Sequence, residues 1–187
     1  LIAHRISPTT KNRKEIISDT PKCHLISSSL NRGGAERQVA LTMKYISENS
    51  KFDCSLVVHS LKNNRGKGTY VDELSNQKDR IFQLDEICDD ELSSIKDLVG
   101  EFGDLLSLLN NTTRNKILRL IYHFSKHSPD VVHAWQDDTI LTCSLAAAIT
   151  GIPKIIGSAR SLRPDMKTNL HIRKRPYLRN CFKEIFD

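Results

Sequence analysis

Apolar positions along this chain fall into two kinds of run that take turns. Short, nearly continuous blocks such as "CHLIS", "CSLVVHS", "VVHAW" and "IPKIIGSAR" are rich in Val, Ile and Leu. They read as strands buried on both faces, and "RIFQL" reads as a shorter one. Between them lie stretches whose apolar residues recur every three or four positions. In "AERQVALTMKYISE" these are Ala35, Val39, Met43 and Ile46; in "TTRNKILRLIYHFSKH" they are Ile117, Leu120, Ile121 and Phe124. Both are amphipathic helices by spacing, with Thr112 or Thr113 available to cap the second. "DDTILTCSLAAAITG" is a third helix, with Asp137 or Asp138 as its N-cap and Gly151 at its end.

The segment "NNRGKGTYVDEL" reads as a loop with Gly66 and Gly68 that finishes in a helical turn, and Ser128-Pro129-Asp130 reads as a turn before "VVHAW". Strands alternating with helices predict an α/β domain of Rossmann-like type, a parallel sheet with helices on both faces. Residues 1–20 show no sustained periodicity and are expected to be a poorly ordered extension; the Rossmann-like domain is expected over 21–187. The chain opens on Leu rather than Met and stops inside a helical-looking segment, "NCFKEIFD", so it reads as a fragment of a longer protein.

Composition narrows the class. With 187 residues, 39% hydrophobic and 27% charged, the chain is an ordinary globular domain with room for a core. Its longest apolar block, "ILTCSLAAAI", is too short to span a bilayer. No basic, apolar, small-residue signal pattern opens the sequence. Five scattered cysteines, without a CxxC or a paired-histidine spacing, argue against a zinc site. Their odd number and apolar surroundings suggest reduced, buried thiols and a reducing compartment such as the cytoplasm.

The net charge of +6 is uneven: residues 160–187 hold eight Lys or Arg against three acidic residues, whereas "DEICDDELSSIKDLVGEFGD" is strongly acidic. This predicts a local anionic partner, not a nucleic-acid-coating protein. Aromatic residues make up only 6%, and no helix-turn-helix, RRM or KH pattern is present. The basic stretch "HIRKRPYLRN" is expected to be a solvated helix face, with attraction to anionic lipid headgroups as the alternative.

In an open parallel sheet ligands sit beyond the carboxyl ends of the strands. The segments that follow strands here are "SSSLNRGGAE", "HAWQDD" and "SARSLRP". Gly33 and Gly34 precede a helix, where unpaired N–H groups and the helix dipole favour an anion and absent Cβ atoms allow close approach. A tight turn needing positive φ would equally call for them. The loop is neither GxGxxG nor a nucleotide P-loop. His133 and Trp135 have plain readings as core residues, Asp137 as a cap, and Arg160 as one half of an ion pair. As ligand groups, Trp135 would stack on a sugar or base and Arg160 would grip a phosphate, carboxylate or hydroxyl.

Taken together, "NRGGAERQVA" and "PDVVHAWQDD" followed by "AAAITGIPKIIGSARSLRP" resemble the N-terminal half of a GT-B glycosyltransferase. The similarity is to the large retaining group of bacterial polysaccharide and lipopolysaccharide enzymes, and it runs over about residues 21–187. It implies an acceptor-side domain whose donor-binding partner domain is absent from this sequence, so that the fragment alone would be inactive. It implies Gly33 and Gly34 at the donor diphosphate, His133, Trp135 and Asp137 in the cleft near the transferred sugar, and Arg160 and Ser161 on the acceptor side. Trp135 stands where many such enzymes have a second histidine. No metal or cofactor is implied: the nucleotide sugar is a donor substrate, and a glycan or lipid-linked molecule is the acceptor. The implied place is the cytoplasm, with peripheral contact at the inner membrane face through 160–187. Apart from this resemblance, a non-catalytic Rossmann-like module for a phosphorylated ligand is the competing expectation.

Overall fold

The computed structural model describes residues 19–61 and 70–159. Five strands form one sheet: β1 (Lys22–Ser27), β2 (Asp53–Val58), β3 (Ile81–Gln83), β4 (Val131–Trp135) and β5 (Lys154–Ser158). All pairings are parallel and the spatial order is β3-β2-β1-β4-β5. The Rossmann-like α/β expectation is therefore met. Every strand inferred from the apolar blocks is present, with β3 reduced to three residues.

Three long helices cover the sheet. α1 (Gly34–Asn49) follows β1 and lies on one face. Its Val39, Ala40 and Met43 join Cys23, Leu25, Cys54, Leu56, Val58, Leu74 and Trp135 in one buried cluster. Short helical pieces then follow β3: α2 (Asp89–Ser93), α3 (Lys96–Val99) and α4 (Gly103–Ser107). They lead into α5 (Asn111–His127) and, after β4, α6 (Asp137–Thr150), which share the opposite face. There Ile117, Leu120, Ile121 and Phe124 of α5 meet Ile140, Cys143, Ala146 and Ala147 of α6 over Ile26, Val57, Val132 and Ala134 of the sheet. The alternation of β1 explains the division, since Cys23 and Leu25 point one way and Ile26 the other.

Two cap assignments differ from the sequence expectation. The cap of α5 is Asn110, whose side chain accepts from Thr113 N at 2.9 Å; its carboxamide reaches the free N–H that a threonine inside the helix could not. The residue before α6 is Gln136, so Asp137 and Asp138 are the first helical residues, where their charge meets the positive end of the dipole. Gly151 does end α6 in the left-handed region, at φ 68°. The acidic segment after β3 folds into the short helical pieces named above; no periodicity in it announced them. Gly66, Gly68 and the basic stretch after residue 159 fall outside the described residues.

Cys23, Cys54 and Cys143 are buried free thiols and Cys88 is exposed, in keeping with reduced cysteines. Burial alone holds the Cys143 thiol well above its ordinary range. β5 forms the sheet edge beyond β4, and its Ile155 and Ile156 are 42% and 47% exposed. The cluster on the sheet's second face rests on α5. Truncating Phe124, fully enclosed between α5, α6 and the sheet, to Ala should cost about 3–5 kcal/mol in urea unfolding. A loss below about 1 kcal/mol would show that α5 is not anchored as described.

Candidate functional site

From β1 the chain proceeds outward to β2 and β3, then returns to the other side of β1 as β4. The strand order therefore reverses between β1 and β4, and the crevice beyond their carboxyl ends is where open α/β sheets receive ligands. The segments meeting there are the β1–α1 loop, the β4–α6 junction and the end of β5.

A hydrogen-bond chain runs along this edge. Ser28 Oγ donates to Gln136 Oε1 at 2.5 Å, and Gln136 Nε2 donates to Glu36 Oε1 at 2.7 Å. The Gln136 main-chain N–H donates to Ser158 O at 3.4 Å. His133 Nε2 and Ser158 Oγ lie 2.7 Å apart, and the His133 ring packs at 4.8 Å against that of Trp135. One residue thus ties β1, α1 and β5 together. It does so from a strained backbone: Gln136 has φ 74° and ψ 145°, a region essentially reserved for glycine. Such conformations cost on the order of 1–3 kcal/mol and persist only where the surroundings hold them.

The two glycines play different parts. Gly33 is extended, with φ −167°, so positive φ is not the reason for it. A Cβ on Gly33 would collide with the carboxylate of Glu36, which folds back over it. Gly34 opens α1, and a Cβ there would meet nothing within 4 Å. Glu36 already sets a negative group against the N-terminus of α1 on the Gly33 side; open space remains at Gly34.

The other residues expected at the site divide. His133 joins the network. Trp135, 4% exposed, belongs to the α1-side core, in line with its plainer reading. Asp137 begins α6 at the crevice. Arg160 and Ser161 lie outside the described residues. Periodicity and motif reading missed Ser28, Glu36, Gln136 and Ser158. Glu36 sits in a helical pattern like any solvated glutamate, and nothing local marks Gln136 as strained.

A second group, also missed, lines the same edge on the α5 side. Asp85 N donates to His59 O at 3.0 Å, and Ser60 Oγ to Asp85 Oδ2 at 2.7 Å. Lys116 of α5 and Asp138 of α6 form an ion pair at 2.8 Å, both partly buried. Burial, and then the nearby Lys116, push the His59 imidazole down to about 4, so it is neutral at pH 7. At the opposite edge, a shallow cavity of about 400 Å³ is lined by Asp19, Lys51, Asp53 and Arg80 among others. It faces the C-terminal end of α1, whose dipole disfavours anions. Among the described residues no group of His, Cys, Asp and Glu is arranged to hold a metal ion, and no helix is long and apolar enough to cross a membrane.

No family model matches the chain. Over 157 residues it is 26% identical to the Vi polysaccharide biosynthesis protein VipC/TviE of Salmonella typhi, a match covering 78% of this chain and 27% of that protein. Among solved structures it is similar to a UDP-N-acetylglucosamine 2-epimerase, with TM-score 0.50 and 16% identity, covering 87% of this chain and 39% of the other. The chain thus spans well under half of each. What it shares with the epimerase is the fold.

The strain at Gln136 separates two variants. Gln136→Gly removes the side-chain bridge but relaxes the backbone; Gln136→Ala removes the bridge and keeps the strain. The glycine variant should be the more stable by about 1 kcal/mol in chemical denaturation. Equal stabilities, or a more stable alanine variant, would show that the backbone there is not strained.

Proposed function

We propose that this chain is the acceptor-side domain of a glycosyltransferase that moves a sugar from a nucleotide-sugar donor to a hydroxyl acceptor in surface polysaccharide or glycolipid synthesis. The observation that carries the reading is the crevice at the β1/β4 reversal. Its walls are the N-terminus of α1 and the Gln136 network. Two features agree with it: the similarity to a polysaccharide biosynthesis protein and the fold shared with an enzyme named for a nucleotide sugar.

On this reading the donor diphosphate approaches at Gly34, where the backbone is open, and not over Gly33, where the Glu36 carboxylate would repel it. The first N–H groups of α1 then offset charge that grows on the leaving diphosphate, which is the main catalytic help this half can supply. His133 and Asp137 would face the transferred sugar, and Arg160 and Ser161 the acceptor. The His59, Lys116 and Asp138 group gives that edge polar contacts for acceptor hydroxyls. The basic 160–187 segment would bring the enzyme to anionic headgroups of a membrane on the cytoplasmic side.

The epimerase likeness favours a second reading, a nucleotide-sugar enzyme without transfer. Incubating the full-length parent of this domain with a panel of nucleotide sugars and hydroxyl acceptors, with products read by mass spectrometry, separates the two. Transfer adds a sugar mass to the acceptor, whereas epimerisation leaves every mass unchanged and alters only the sugar's stereochemistry. In that full-length parent, Gly34→Ala should leave thermal stability unchanged or slightly raised, because its methyl group meets no neighbour, yet lower turnover at least tenfold. Unchanged turnover in that variant would remove the diphosphate from Gly34.

A further inference from the structure

Away from the crevice, three histidines converge where β1 meets α5. His24 Nδ1 of β1 and His123 Nε2 of α5 lie 3.0 Å apart. The ring of His127, one turn further along α5, packs 4.4 Å from His123 and 6.0 Å from His24. Phe82 of β3 closes the group, 5.1 Å from His123 and 4.7 Å from His127. His24 and His123 are each 3% exposed. This is the polar seam by which α5 is fastened to the sheet beside its apolar contacts.

The charges around the seam are mostly positive. Lys22 faces it from β1, and its Nζ donates to His127 O at 3.4 Å. Lys126 faces it from α5. Asp53 of β2 is the acid acting on His24, and it is already paired with Arg80 at 2.9 Å. Asp130, ahead of β4, accepts from the Lys22 main chain at 2.8 Å. From β3 the contribution is the Phe82 ring. A single neutral imidazole pair satisfies itself, one ring donating and the other accepting. Protonating both rings would place two imidazolium ions in contact with no carboxylate between them.

We propose that the His24–His123–His127 seam is an acid-sensitive latch that weakens the hold of the sheet on α5. Burial lowers all three imidazoles, His24 to about 4 and His123 to about 2, with neighbouring positive charges adding to the effect. In the unfolded or released chain they titrate near the ordinary value of about 6.5. Below that value the released state takes up protons that the closed state refuses. The contribution is therefore complete above about pH 6.5 and is lost as pH falls towards 4. Between pH 6 and pH 5, His24 and His123 should each raise the opening equilibrium about 7-fold, or about 50-fold together. Because α5 also carries Lys116, whose ion pair fixes the start of α6, release at the seam reaches the crevice edge.

Two measurements on the intact protein test this. In the first, assigned imidazole NMR titration should show His24 and His123, besides the buried His59, still neutral at pH 5; ordinary titration of His24 and His123 near 6.5 overturns the proposal. In the second, hydrogen exchange, corrected for intrinsic rates, is compared at pH 7 and pH 5. α5 should lose protection well ahead of α1, and a His24→Leu/His123→Leu variant should lose that difference. Equal loss in α1 and α5, or an unchanged difference in the double variant, contradicts the latch. The NMR result stands by itself if the variant does not fold.

Discussion

Everything at the crevice depends on the sheet being wholly parallel, with β1 at its centre. Parallel strands send all their carboxyl ends to one edge, so the residues after β1, β2, β4 and β5 must meet there whatever their distance in sequence. The same topology demands helices on both faces, because each crossover has to pack back onto the sheet. Burial of β1 on two sides follows from that demand, and burial in turn keeps the edge stiff enough to hold Gln136 in a backbone conformation it would not adopt alone. Cost and support are linked here: strain of about 1–3 kcal/mol at one residue is tolerated because hydrogen bonds to Ser28, Glu36 and Ser158 converge on it.

That convergence also refines what the glycines do. Gly33 makes room for a carboxylate from its own helix, and Gly34 leaves an approach open beside it. A helix N-terminus with one internal anion and one open flank discriminates by position. An incoming phosphate gains from the remaining N–H groups only if it keeps clear of Glu36, while a sugar hydroxyl can donate directly to that carboxylate. On the proposed function, the nucleotide-sugar donor carries both kinds of group.

The fold was largely legible in the sequence because it rests on burial. "CHLIS", "CSLVVHS" and "VVHAW" are apolar without alternation, as strands covered on two faces must be, and Ile117, Leu120, Ile121 and Phe124 carry the helical period in plain view. The site was only half legible. Gly33, Gly34 and His133 could be picked out by their place after strands or within them. Gln136 could not, since its φ is imposed by tertiary contacts that no local pattern records. His59 and Lys116 come together from the loop after β2 and from α5, far apart in sequence, and neither has an unusual neighbour. The His24–His123 contact was hidden for the same reason: each histidine sits singly in an ordinary run, and only the packing of α5 on β1 joins them.

On the proposed function, ligand enters at the carboxyl edge between β1 and β4. Hydrogen exchange of the protein with and without UDP tests it most directly. Protection should rise at residues 28–36 and 136–138 and stay unchanged at the opposite edge around Lys51 and Arg80. Protection confined to that opposite edge, or no protection at residues 28–36 with UDP demonstrably bound, would contradict the account.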